Sequence, residues 1–263
     1  MTFDRLLVST DHGLDVDRAA KVAARLAVAA GLPVELLTVS HPRVGGTQGD
    51  RSDLIRVDLV RPAACTTTVV QADDLASALL RALHDRPGAL PVIAMHAEAS
   101  GVGAWERALR ATGRPGLLVG PNVCDEPLPL ERLDVALTAG ADPDHLLTAL
   151  EEWSESFGAT ASLIDIVDEV GGAAELASRR SLYSAARSLR HRGLPTATTL
   201  VPSRHPAEAL LALGRDAPAI LAVTVSRDEE DRLHQGIASE IVHSATRPVL
   251  LIPAQPKAHP MAA

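Results

Sequence analysis

Aromatic residues are nearly missing from this chain: Phe, Trp and Tyr together make up 2% of its 263 residues. Little is therefore available to stack on bases or sugar rings, and a formal net charge of -8 repels a phosphate backbone. Nucleic acid is not an expected partner. Cysteine is almost as scarce, with only Cys65 and Cys124 and no C-x-x-C pair, which excludes a disulfide framework and suits a reducing cytosol. Both thiols read as inert. G-x-S-x-G and H-E-x-x-H do not occur and the ten histidines are scattered, so nothing nominates nucleophilic or metal catalysis. No stretch approaches the roughly eighteen apolar residues of a membrane span, and the start of the chain passes directly into the strand pattern Arg5-Leu6-Leu7-Val8. The expectation is a cytoplasmic protein without membrane contact.

What the chain does have is aliphatic, and it comes twice. Hydrophobic residues make up 46% of the chain. The segment Asp17 to Gly31, running on into Val34 to Val39, returns 127 residues later as Asp144 to Gly158, running on into Ala161 to Ile166. Ala78-Leu79-Leu80 returns as Ala209-Leu210-Leu211 at an offset of 131, and Arg114-Pro115-Gly116-Leu117-Leu118-Val119 as Arg247-Pro248-Val249-Leu250-Leu251-Ile252 at 133. A period this long makes each copy large enough to be a domain, and two copies make a built-in pseudo-dimer.

Within each copy, short apolar strands alternate with amphipathic helices. The first copy has strands at 6–8, 34–39, 66–70, 92–95 and 116–119, with helices capped by Asp15 or Asp17, capped by Asp73 or Asp74 and running through Leu83, and over 104–110. The second has strands at 135–137, 162–167, 197–201, 220–224 and 249–252, with helices at 143–157, 175–190, 206–213 and 237–244. Continuous apolar strands separated by helices imply parallel pairing with helices on both faces. Trp105 and Trp153 fall at apolar helical positions and read as core. The arginines at 179, 180, 187, 190 and 192 read as a solvated face.

A five-strand α/β unit whose first strand ends in Thr10-Asp11, a closing Arg-Pro before an apolar strand and the tandem arrangement resemble the universal stress protein family, the UspA-like group. The likeness runs from about residue 3 to Pro253, and Ala245-Thr246-Arg247-Pro248-Val249-Leu250-Leu251-Ile252 follows the family's closing pattern closely. The resemblance implies two tandem doubly wound α/β domains, Rossmann-like and adenine nucleotide alpha hydrolase-like, each a five-stranded parallel sheet of order 3-2-1-4-5. The expected domains are 1–123 and 132–254, with a linker at 124–131 and a disordered tail at 255–263. The two fifth strands would meet across an internal twofold axis. A homodimer, an unidentified protein partner and a role in the stress response are implied as well.

The resemblance also implies an adenine nucleotide, ATP in the first instance, at the carboxyl ends of strands one and four. Carried over position by position, the first-copy candidates are Thr10, Asp11, Val39, Met95, His96, Gly101 and Gly103. Asp11 serves equally as a turn residue, and His96 as a polar loop residue. Gly101-Val102-Gly103 lacks the third glycine of a dinucleotide fingerprint, with Glu106 in its place. The family's phosphate loop, G-x2-G-x9-G-[S/T], is not kept. Val102 and Gly103 stand where its final pair belongs, and the loop is about five residues short. In the second copy Thr138 replaces the acidic residue, residues 225–232 contain no glycine, and Gln235-Gly236 stands at the final pair. The run Asp228-Glu229-Glu230-Asp231 lacks the alternate spacing of a calcium loop. Each of its carboxylates would oppose a phosphate charge by about 1 kcal/mol at about 6 Å. The expectation is a non-catalytic scaffold or regulator with a degenerate nucleotide motif in both halves. The alternative is an ATP-binding stress sensor using the first-half cleft, at most a slow ATP hydrolase.

Overall fold

A computed structural model of the chain describes residues 2–9, 15–40, 65–71, 75–95, 108–109, 111–124, 126–137, 143–168, 171–216, 219–225 and 232–253. The first half contributes β1 (Arg5–Ser9), α1 (Asp15–Ala30), β2 (Val34–Ser40), β3 (Cys65–Gln71), α2 (Leu75–Asp85), β4 (Ala89–Ala94) and β5 (Gly116–Val119). The second contributes β6 (Arg132–Ala136), α3 (Pro143–Phe157), β7 (Thr160–Val167), α4 (Ala173–His191), β8 (Thr196–Pro202), α5 (Pro206–Asp216), β9 (Ile220–Val225), α6 (Arg232–Ser244) and β10 (Val249–Pro253). Helix α1 buries Ala19, Val22, Ala23 and Leu26 on one stripe, the spacing that turns one side of a helix to a core. Gly31 and Gly158, the same position in the two copies, follow α1 and α3 with φ of 67° and 68°. That left-handed turn strains any side-chain-bearing residue, so the repeat preserves a helix stop.

The strands form one sheet of order β3-β2-β1-β4-β5-β10-β9-β6-β7-β8. Read from either end, each half has the expected order 3-2-1-4-5. Two separate five-stranded sheets were expected, and this is corrected: β5 and β10 pair antiparallel, Val249 with Leu118 and Leu251 with Gly116, and weld the halves into a single sheet. All other pairings are parallel. Both faces of β5 and β10 are apolar and buried, so neither could lie at an open edge. Main-chain pairing covers that edge and satisfies its amides at once.

The cores are shared in the same way. One sheet face carries α1, α3 and α4, where Phe3 and Leu26 belong to the same cluster as Trp153 and Leu189. The other carries α2, α5 and α6. Trp153 is fully buried, as expected of a core residue, and stands edge-on to Phe3 with ring centroids 6.5 Å apart. Phe157 tilts against it at 4.5 Å.

The chain joining the halves is held along its length. Arg18 Nη1 donates to Gly120 O at 3.1 Å, Asn122 Nδ2 to His243 O at 2.7 Å and Arg25 Nη1 to Glu126 O at 2.6 Å. Gly120 lies so close to α6 that a Cβ there would stand 2.0 Å from Val242 O. Backbone cannot yield as a side-chain tip can. Gly120→Ala is therefore expected to destabilise the protein by about 1–3 kcal/mol, read as a lower guanidinium midpoint at unchanged slope.

One buried ion cluster ties the first half together. Glu35 on β2 is 5% exposed. Arg86 grips both its oxygens, with Nη2 2.6 Å from Oε1 and Nε donating to Oε2 at 2.8 Å. Thr68 Oγ1 donates to Oε1 at 2.6 Å, and Arg5 Nη1 lies 3.4 Å from Oε2. Burial pushes the Glu35 carboxyl up. The bonds from Arg86, Thr68 and Arg5 outweigh burial and hold it below the ordinary glutamate range.

Candidate functional site

In a doubly wound sheet, ligands collect where the strand order reverses, outside the carboxyl ends of the two strands flanking the reversal. Here β1 pairs with both β2 and β4, and its helix α1 lies on the sheet face opposite α2. The first-half crevice therefore opens beyond Ser9 and Ala94. Its counterpart opens beyond Ala136 and Val225, since β6 pairs with both β7 and β9.

Of the residues nominated from sequence, the structure places two. Met95 directly follows β4; its N–H donates to Val119 O at 2.9 Å, and its side chain is buried among Leu7, Leu37 and Ile93. It lines the core rather than the crevice. Val39 stands near the end of β2, paired with Val70. Thr10, Asp11, His96, Gly101 and Gly103 lie outside the described residues, as do Trp105 and the tail from 255.

The second crevice is closely knit. Thr224 is buried at the end of β9 and its Oγ1 donates to Ala136 O at 3.4 Å, while Leu137 N donates to Ile164 O at 2.8 Å. The central strand carries Asp134 where the first copy has Leu7. Burial raises this carboxyl above the ordinary aspartate range, and Arg132, 3.0 Å away, offsets only part of that.

Helix α6 also differs from expectation. It begins at Arg232 rather than Ile237, so Gly236 sits inside the helix and not at a loop-to-helix junction. In sequence, Asp228-Glu229-Glu230-Asp231 immediately precedes its first residue. Among the described residues no cluster of His, Cys, Asp and Glu is arranged to hold a metal, and no helix is long and apolar enough to cross a membrane.

With the sheet order and both crevices in place, solved structures can be compared with the whole chain. A universal stress protein from Archaeoglobus fulgidus matches 96% of this chain and 98% of its own, at TM-score 0.65 and 13% identity. The fold is that of a universal stress protein. A candidate universal stress protein from Pseudomonas aeruginosa matches 96% of this chain and 94% of its own, at TM-score 0.60 and 14% identity. The universal stress protein fold extends further, since the cytoplasmic domain of a prokaryotic cation chloride cotransporter matches 95% of each chain at TM-score 0.57 and 10% identity. Fold and function are thus separable here. No protein-family model and no curated protein sequence matches the chain.

Sequence reasoning overlooked one cluster at the other end of the sheet. Arg114 and Glu152 line a cleft between the halves, with Phe3, Gly88 and Ala149. Burial lowers the Arg114 guanidinium and raises the Glu152 carboxyl from their ordinary values. Arg114 Nη1 donates to Arg86 O at 3.1 Å and to Pro87 O, and its repeat partner Arg247 donates to Gly214 O at 2.8 Å. The recurrence of Arg-Pro in the sequence was the available signal. Each arginine ties the start of a closing strand to the chain just before, or at, the end of the preceding helix-to-strand passage.

Proposed function

We propose that the chain is a tandem universal stress protein acting in the cytosol as a non-catalytic scaffold or regulator of the stress response. Its two domains, 1–123 and 132–254, form an internal pseudo-dimer, and the nucleotide grip is degenerate in both. The start of α6 carries this reading. A helix N-terminus holds phosphate through unsatisfied amides and the positive end of its dipole. Four carboxylates precede α6 directly, so the helix start carries its own anions and repels a triphosphate. Gly236, inside the helix, offers no loop amide for a phosphate. In the first half the shortened stretch after Met95, which has two glycines where the family loop has three, argues the same way.

A scaffold works through surfaces, and this one has a single rigid frame. The edges of β5 and β10 are already paired with one another, so a homodimer would have to use a different surface. Calorimetric titration of Mg-ATP into the intact protein is expected to show no saturable binding below about 1 mM. A micromolar dissociation constant at one or more sites would overturn the proposal and favour the ATP-sensing alternative at the first crevice.

A further inference from the structure

The sheet ends at β8, which pairs only with β7 among the described strands. Ala161 N–H donates to Pro195 O at 3.1 Å at one end of that pairing, and Ser203 N–H donates to Val167 O at 3.0 Å at the other. Successive residues of a parallel strand turn their main-chain groups to opposite sides, so the odd-numbered residues from 195 to 203 face β7 and the even-numbered ones face away. Both ends of this outer edge are closed to a ladder. Arg190 Nε and Nη2 donate to Thr196 O at 3.1 and 2.6 Å, and Pro202 has no N–H to offer. What stays open among the described residues is the N–H and C=O of Thr198 and of Leu200. That suffices for a short added strand and limits pairing with a long one.

Helix α4 stands over this edge. Its Arg190 reaches the edge at Thr196, and at about 100° per residue Tyr183, Leu176, Arg187 and Arg180 all lie within about 80° of Arg190 around the helix. Leu176 and Tyr183 are 58% and 57% exposed, and both of these arginines are exposed as well. Arg179 is engaged by Glu175 at 2.7 Å and Arg192 by Glu151 at 3.1 Å. Arg180 and Arg187 have no hydrogen bond or ion pair among the described residues. Asp165, beside Leu200 on β7, accepts from Ile166 N at 2.8 Å. From 173 to 204 the chain carries six arginines and a single carboxylate, Glu175, although its net charge is -8. The basic surface is therefore local, and it borders the open edge.

We propose that the β8 edge and the exposed face of α4 dock an extended acidic segment of a partner protein, added as a short strand beside β8, with acidic side chains on Arg180 and Arg187 and an apolar one between them on Tyr183. Main-chain bonds to Thr198 and Leu200 hold such a segment, and α4 selects its side chains. The spacing agrees. Arg180 and Arg187 are about 10.5 Å apart along the helix, and an acid-x-apolar-x-acid strand spans about 13 Å, a difference that arginine arms cover. A second copy fits poorly, because twofold pairing of two β8 edges sets one basic α4 against the other. The surface shares no residue with either crevice, so the proposal stands whether or not a nucleotide binds.

Fluorescence anisotropy of the labelled peptide STETLTETS with the intact protein tests it. Saturable binding is expected, weakened at least about tenfold by exchanging both peptide glutamates for lysine, and equally by the paired substitutions Arg180→Glu and Arg187→Glu. Thr198→Pro removes an outward N–H without removing a bond to β7, a change that edge strands accept. It is expected to weaken binding by about tenfold while thermal unfolding is retained, whereas Thr198→Ala leaves binding unchanged. N-methylation of the five central peptide amides makes the same test with the parent protein and should abolish binding. No saturation below about 1 mM would overturn the proposal, as would equal binding of the lysine peptide or binding indifferent to N-methylation. Tighter binding of an oligouridylate, lost in the paired arginine variant, would overturn it in favour of nucleic acid. A dimer of the free protein that Thr198→Pro dissociates would assign the edge to a second copy instead.

Discussion

Trp153→Ala is expected to lower stability by about 3–5 kcal/mol, the usual range for emptying a buried aromatic site. Trp153 has no exposed surface, and it packs against Phe3 of the other half as well as Phe157 of its own helix. The loss should therefore not stay in the second half. Each face of the sheet is lined by a core containing residues from both copies, and the ladder between β5 and β10 continues the sheet across the seam. In guanidinium unfolding followed by hydrogen exchange, β2 and β7 of the variant should lose protection at the same denaturant concentration. Loss at β7 alone, with β2 still protected, would show the halves to be independent.

Arg86→Ala is expected to cost about 3 kcal/mol or more at pH 7, because it leaves a buried carboxylate with a weaker set of partners. Arg86 makes the two-pronged contact to Glu35; Thr68 and the more distant Arg5 remain. The pH dependence provides a second, independent readout. In the parent the Glu35 carboxyl lies below its ordinary value, so its stabilising contribution is present above the unfolded pKa of about 4.3 and is lost as pH falls through the folded value. Without Arg86, burial dominates and raises that carboxyl, so protonation favours the folded variant. The stability difference between parent and variant should narrow from pH 7 to pH 4. A constant difference would locate the effect of Arg86 elsewhere.

The elements readable in the sequence were those with a local cause. Gly31 recurs in the repeat as Gly158, and each takes the left-handed conformation that follows a helix end; Trp153 could be assigned to the core from its helical position. The strand order within each half followed from the resemblance. What escaped was carried by main chain. Apolar residues on both faces of β5 and β10 showed that these strands need cover, but side chains do not specify whether another strand's amides provide it. Pro127 and Pro129 made the connecting segment read as a linker. Its bonds run from side chains to the carbonyls of Gly120, His243 and Glu126, and a carbonyl has no sequence signature.

The early start of α6 did have a signal: Leu233, Ile237, Ala238, Ile241 and Val242 follow a helical period from Arg232 onward. The acidic run before it was read as loop, although acidic residues favour exactly this place at a helix N-terminus. For the crevice itself, Met95 was read as the last residue of the fourth strand; the strand ends at Ala94, and the Met95 side chain turns into the core.

Native mass spectrometry of the freshly purified protein tests the central claim, that duplication kept the architecture while the phosphate-holding loops were lost. The expected spectrum is dominated by the mass of the bare polypeptide. A stoichiometric adduct with the mass of AMP, ADP or ATP, released on denaturation and identified in the small-molecule fraction, would contradict it.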